Sequence, residues 1–395
     1  PGTAVAVVFT ATADPGVASL AAAAGGNQAA MAGTAVPVAP AVLVRDSSGA
    51  PMPGIAVRFA VTAGGGNVPE AVVTTNASGV AAVTRWTLGS AAVLNTLTAS
   101  VEGASAPPVV FRGAGCTGSG PAFEITLCIT TPMTPSQLQV FSVSAARWAS
   151  IIRGDIADVS LTISENSCGA GSPSASMRYD DLLIFAAVSD IDGPGSVLGQ
   201  AGPCFLRSTA RGLPVIGVME FDAADMASLE AEGQLGSVIL HEMGHVLGIG
   251  TVWSRFGLLQ SPSTNGSRLD TYFSGTNAIA GFDAIGGSTY TGGQKVPVEN
   301  TGGAGTMNAH WRESVLRNEL MTGYLNAGSN PLSVLTVRSL TDLGYVVDVA
   351  AADAFSLALS LRAPGPAKPP RRLHNDLYTG PLYVVGRAGN HVRIR

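Results

Sequence analysis

Residues 237–253, SVILHEMGHVLGIGTVW, place two histidines four positions apart with a glutamate beside the first. On a helix, positions i and i+4 share one face, so His241 and His245 aim their imidazoles at a common point. Such a pair supplies two nitrogen ligands to a divalent ion of the zinc type, about 2.0 to 2.1 Å from each. Glu242 is suited to take a proton from a metal-activated water and is not itself expected to bind the metal. The competing reading is a helix whose histidines are merely packed or solvated. With only five histidines in the chain, a chance HExxH is rare. Gly248 and Gly250 break the helix just past the second histidine, so the chain turns there.

A zinc site of this kind needs a third protein ligand. The remaining histidines are His310, His374 and His391, the last two in a basic tail, and Glu319 is a carboxylate candidate. His310 lies 65 residues after His245 (310 minus 245), inside GTMNAHWRESVLRNELMTGYL, residues 305–325.

The run HExxHxxG resembles the metzincin metalloproteases, whose pattern normally continues to a histidine three residues after that glycine. Thr251 stands there in this chain, and a hydroxyl is a poor substitute for imidazole on zinc. The pieces LGQAGPC, GVMEFDAADM, HEMGHVLGIGTVW, AHWRESVLRNELMTG and LSVLTVRSLTDLGY follow one another between residues 198 and 345. Together they resemble the leishmanolysin-like branch, in which an insertion separates the glycine from the third histidine; the resemblance covers roughly residues 120–349. It implies that His241, His245 and His310 hold one catalytic zinc ion and that Glu242 is the general base. It also implies that Met321 packs beneath the site and that Gly248 is the turn glycine. The implied activity is zinc-dependent hydrolysis of peptide bonds in protein or peptide substrates. Tyr324, three residues beyond Met321, is a weaker candidate: some metzincins place a tyrosine near the zinc, though at another spacing. Asp190 and Asp192, in the Gly-rich turn SDIDGPGS, offer oxygen ligands for calcium, but the 12-residue loop pattern with its terminal glutamate is missing.

Outward from this region, 395 residues are too many for one core and suggest two domains. Residues 16–112 read as short β segments separated by SSGAPMPG, GGGN and NASG. Spacing of about 8 to 12 residues predicts a β-sandwich. The stretch from GNQAAMAG to TTNASGVAAV resembles bacterial immunoglobulin-like modules of the invasin and intimin type, which implies an association with the cell surface. GAGCTGSGP reads as a linker by composition. Beyond it, AFEITLCIT reads as a strand, and TPSQLQVFSVSAARWASIIRG as a helix with Thr134 as N-cap and Pro135 at the first helical position. The expected architecture is therefore multidomain. An all-β immunoglobulin-like sandwich (1–113) and a linker (114–121) precede an α+β metzincin-like catalytic domain (122–362). A Pro-rich basic tail with a candidate hairpin (363–395) follows.

Cys116, Cys128, Cys168 and Cys204 include no CxxC pair, which argues against a zinc ribbon or a thioredoxin-like site. Two structural disulfides in an exported protein compete with buried free thiols. Of three connectivities, Cys116–Cys128 with Cys168–Cys204 is the expected one. A net charge of -5 provides no electrostatic footprint for nucleic acid, and no apolar run reaches the 18 residues of a membrane span. The chain starts at Pro1 without a leader, which fits removal of a signal segment or a cut chain. The resulting expectation is a secreted or surface-attached bacterial zinc endopeptidase; the alternative is a surface display protein with an inactive protease-like domain.

Overall fold

The structure is a computed structural model that describes residues 16–119, 122–209, 212–265, 267–357, 370–386 and 388–395. It divides into two compact units, Pro1–Gly115 and Cys116–Arg395.

The first unit is all β. Strands β1 (Ser19–Ala24), β3 (Ala41–Arg45) and β6 (Val80–Ala82) form one sheet, in the order β1-β3-β6. Strands β2 (Asn27–Met31), β4 (Ala56–Ala63), β5 (Val72–Thr74), β7 (Leu94–Ser100) and the start of β8 (Val109–Ser119) form a second, in the order β5-β4-β7-β8-β2. Alternate residues of β7 are buried, the period-2 pattern of a strand with one face on a core. Val42 and Val44 from the first sheet share that core with Phe59, Leu97 and Phe111 from the second, around Trp86. The expected segments of residues 37–113 are present in outline. Strands β1 and β2 were not expected, because SLAAAA carries no alternation of apolar with polar residues.

The linker expectation for residues 114–121 is corrected. Strand β8 runs through this stretch to Ser119, and residues 120–121 lie outside the described ones. Its glycines serve close packing, not flexibility. A side-chain carbon on Gly113 would stand 2.5 Å from Leu88 Cδ2, and one on Gly115 2.7 Å from the Ala91 carbonyl oxygen. Cys116–Ser119 pairs antiparallel with β9 (Ile125–Ile129), and a disulfide joins Cys116 to its cross-strand partner Cys128.

In the second unit β9 and β12 (Leu182–Ser189) are parallel, as are β12 and β14 (Pro214–Asp222). Strand β13 (Gly199–Arg207) then adds antiparallel to β14. In the loop of the hairpin β10 (Val159–Ile163)/β11 (Ser174–Tyr179), Cys168 is joined to Cys204 of β13. Helix α1 (Pro135–Ile151) begins where the sequence places it. Thr134 Oγ1 accepts from Gln137 N, and the Gln137 side chain accepts from Thr134 N, a reciprocal cap. Helix α2 (Ala223–Ala231) follows β14, capped by Asp222, and α3 (Leu235–Val246) carries the two histidines. Gly217 of β14 lets α3 sit close on the sheet: a side-chain carbon there would lie 2.3 Å from Val246 Cγ1. From the other side, Trp148 Nε1 of α1 donates to the Leu240 carbonyl (2.9 Å).

The segment between α3 and His310 contains β15 (Leu259–Gln260), β16 (Tyr272–Phe273), α4 (Thr276–Ala284), α5 (Ser288–Thr291) and β17 (Val296–Pro297). For residues 281–306 of it the glycines suggest a surface loop; these residues hold the short elements α5 and β17, with Val296 and Val298 buried. Helix α6 (Glu313–Leu316), β18 (Tyr324–Leu325) and α7 (Val334–Leu343) complete the body.

The tail is not separate from it. Strand β19 (Arg371–Arg372) pairs with β18, β20 (Tyr383–Val385) adds parallel to β13, and β21 (His391–Arg393) closes an antiparallel hairpin with β20. The boundary expected at 362 is thus corrected: the second unit continues to Arg395 because the tail's free strand edges are satisfied by the body's. Residues 363–369 lie outside the described ones.

The Cys168–Cys204 bond closes a 36-residue separation. Replacing both cysteines by serine should lower the unfolding free energy by about 3 to 4 kcal/mol, the loop-closure term for that length. Denaturant unfolding of the two proteins measures it; a loss below about 1 kcal/mol would mean that the hairpin contributes little to the fold.

Candidate metal centre

His241 and His245 lie on one face of α3, and His310 arrives from the far end of the insertion. All three are buried. The Nε2 atoms of His241 and His245 are 2.9 Å apart, those of His245 and His310 3.0 Å, and those of His241 and His310 3.2 Å. Every Nδ1 faces a backbone carbonyl: Leu320 O for His241 (2.7 Å), Ile249 O for His245 (2.9 Å) and Thr306 O for His310 (2.9 Å). A carbonyl only accepts, so each Nδ1 carries the hydrogen, and a ring in its neutral form leaves its Nε2 lone pair facing the other two. Burial pushes the pKa of His241 and of His245 down, toward this neutral form.

Three convergent lone pairs in a buried site repel one another unless a cation lies between them. Tetrahedral nitrogens about 2.0 to 2.1 Å from zinc would be spaced by about 3.3 Å, close to the observed triangle. The residues therefore fit a zinc-sized dication, with carbonyl partners fixing each ring from behind.

Several local features bring His310 here. Gly250, at φ +76°, has no room for a side chain: a carbon there would lie 2.1 Å from the carbonyl oxygen of Ala309, next to His310. Gly248, at φ +111°, makes the expected turn. Thr251, where the resemblance would place a histidine, donates instead to the His245 carbonyl (2.8 Å) and caps the helix end. Trp253 and Phe273 of the insertion pack against Trp311, the residue after His310, in edge-to-face and tilted contacts. Met321 is buried directly against α3: a side-chain carbon on Gly244, between the two helix histidines, would come 2.7 Å from its Sδ.

Both carboxylate oxygens of Glu242 are buried and find no hydrogen-bond partner among the described residues. Burial, followed by the charge of Asp376, raises its pKa well above the ordinary carboxylate value. Asp376 is the residue that sequence reasoning missed. It comes from the tail, is buried, and joins the three histidines in one cluster of metal-ligating atoms. Its Oδ2 is 3.0 Å from His310 Nε2, 3.5 Å from His241 Nε2 and 3.8 Å from His245 Nε2. No local pattern in LHNDLYTG announces it.

The weaker candidates fall elsewhere. Glu319 is not a ligand. Its carboxylate accepts from Met321 N (2.7 Å), Ser333 N (3.1 Å), Ser333 Oγ (2.7 Å) and Thr336 Oγ1 (2.5 Å), so it fastens the methionine turn to α7. Tyr324 lies in β18 opposite Arg372. Asp192 Oδ1 accepts from Val197 N (3.2 Å), and neither it nor Asp190 joins a metal-ligating cluster among the described residues. His374 and His391 lie outside the cluster.

Residues 136–361 match the family model described as Leishmanolysin. No curated protein matches the chain. Among solved structures, the D00-D0 domain of intimin shares 21% identity over 24% of this chain and 46% of that one, with a TM-score of 0.19. The D0-D1 domain of intimin shares 18% identity over 26% of this chain and 52% of that one, with a TM-score of 0.20. The C-terminal 282-residue fragment of intimin, in complex with the intimin-binding domain of the translocated intimin receptor, also shares 18% identity. That match covers 26% of this chain and 35% of the fragment, with a TM-score of 0.20. The chain thus spans about half or less of each of these structures.

Removing the Glu319 carboxylate strands buried donors at a cost of about 1 to 3 kcal/mol each. Glu319→Ala should therefore lose about 3 to 5 kcal/mol of stability while its folded fraction keeps the metal stoichiometry of wild type. Normal stability with lost metal would make it a ligand after all.

Proposed function

Because the chain belongs to the leishmanolysin family of metallopeptidases, we propose that it is a zinc-dependent endopeptidase with His241, His245 and His310 as the ligands and Glu242 as general base. The observation that carries this reading is the triangle of Nε2 lone pairs, each ring fixed through Nδ1 by a backbone carbonyl. Zinc, when bound, supplies a positive charge that acidifies water and polarises a carbonyl oxygen. Glu242 then accepts a proton from the attacking water at a carboxylate oxygen and passes it to the departing amine nitrogen. Both products, a carboxylate and an amine, leave without an acyl-enzyme stage. The buried, unpartnered Glu242 carboxyl suits a group that must hold a proton briefly between two partners. Met321 packs under the ligands and keeps the α3 histidines at their height, and Gly248 and Gly250 turn the chain so that His310 can reach them.

The first unit supports a second, separate part of the proposal: an immunoglobulin-like module that presents the peptidase at a bacterial surface or in secreted form. Among its described residues it contributes no metal-ligating cluster, and its core lies between two sheets. In the described residues of the whole chain no helix is long and apolar enough to cross a membrane.

Metal analysis and casein cleavage by wild type, Glu242→Gln and His310→Ala test the reading. Wild type should hold one zinc and cleave. Glu242→Gln should keep the zinc but lose about 100-fold or more in rate, the usual contribution of a general base, and His310→Ala should lose the zinc. Wild type without zinc, or His310→Ala with full zinc and full cleavage, would sink it.

A further inference from the structure

The tail strip Arg371–Tyr378 crosses the metal centre and is held on both sides of it. On one side β19 pairs with β18, three residues past Met321; Leu373 N donates to the Gly323 carbonyl (3.0 Å), and Thr306 Oγ1 donates to the Leu373 carbonyl (3.0 Å). On the other side Ala201 N of β13 donates to the Asp376 carbonyl (2.8 Å), and Tyr378 N donates back to the Ala201 carbonyl (2.8 Å). Between these anchors the Asp376 carboxylate reaches the histidines. Gly305 admits the strip, since a side-chain carbon there would stand 2.5 Å from Asn375 Cα.

We propose that Arg371–Tyr378 is a built-in plug of the active-site cleft, with the Asp376 carboxylate as fourth ligand of the metal where water and substrate would otherwise enter. The inference rests on the three-histidine metal reading above. Three observations bear on it. The carboxylate has no hydrogen-bond partner among the described residues apart from the ligand nitrogens it faces. A buried carboxylate left that way costs several kcal/mol, whereas a dication at the centre of the cluster offsets the charge. Its distances to the three Nε2 atoms, 3.0 to 3.8 Å, complete a four-cornered shell of roughly tetrahedral edges.

The backbone gives the third observation. The N–H and C=O of Ala201, on the edge of β13, are groups with which an extended peptide would add to the sheet. The tail already uses both. Four protein ligands make a closed centre, while a catalytic one keeps a position open. The tail therefore competes with substrate for the open position and slows cleavage by the intact chain without abolishing it, and displacing or cutting the tail opens the site.

Cobalt-substituted full-length protein tests this through its visible spectrum. Wild type, Asp376→Ala and Asp376→Asn are titrated with acetohydroxamate, a small bidentate metal ligand, and casein cleavage is followed in parallel. A tethered competitor at millimolar effective concentration weakens a free ligand by about tenfold or more. Asp376→Ala should still bind one cobalt, show an altered spectrum, bind acetohydroxamate at least about tenfold more tightly, and cleave casein faster by a similar factor. Asp376→Asn, which keeps the side-chain shape, should shift in the same direction and serves where the alanine variant fails to fold. Variants matching wild type in spectrum and hydroxamate affinity would overturn the plug. So would loss of the metal from both variants, which would make Asp376 a permanent holding ligand. Wild type that binds no cobalt at the histidines would instead overturn the metal reading itself, and open variants that take hydroxamate but never cleave would overturn the peptidase reading alone.

Discussion

The three Nδ1–carbonyl contacts are what the rest of the second unit serves. Without them each imidazole could rotate, or carry its hydrogen on Nε2, and no common focus would exist. Their acceptors come from different parts of the chain: Leu320 from the methionine turn, Ile249 from the turn after α3, and Thr306 from the end of the insertion. Holding these three carbonyls in place explains much of the surrounding construction, from the Trp253–Phe273–Trp311 cluster to the Glu319 hub that ties the methionine turn to α7. The site is also buried, so ring nitrogens left without a partner there are costly.

The glycines around this focus show how a Gly-rich chain can be rigid. Gly244 makes room for Met321, Gly250 for Ala309, Gly217 for α3 on the sheet and Gly305 for the tail. Each is a contact of backbone with a neighbour that any side chain would block. A composition that suggests loops is, in this region, a record of close approaches.

Legibility in the sequence follows the range of the interaction. The i, i+4 histidines, the Thr134 cap with Gln137 and the break at Gly248 are local, and all can be read from a few neighbouring residues. His310 is 65 residues from His245, and only a resemblance to a known family pointed to it. Thr251 looked like a defect in the pattern; in the fold it caps the helix. Strand β1 was missed because a run of alanines has no period, and the stretch Gly113–Ser119 was misread because its glycines answer to Leu88 and Ala91, which lie far from them in sequence. Asp376 is the extreme case. A single aspartate in a basic tail carries no signal by itself, and its role depends wholly on strand pairing at Ala201 and Tyr324 that long-range topology decides.

The central claim is that one metal ion sits among three nitrogens from α3 and the strip before α6. Anomalous diffraction at the zinc edge, on crystals of the zinc-loaded protein, tests it most directly. The account predicts a single strong peak about 2.0 to 2.1 Å from Nε2 of His241, His245 and His310. A peak bound by other residues, or none among these histidines, would contradict it.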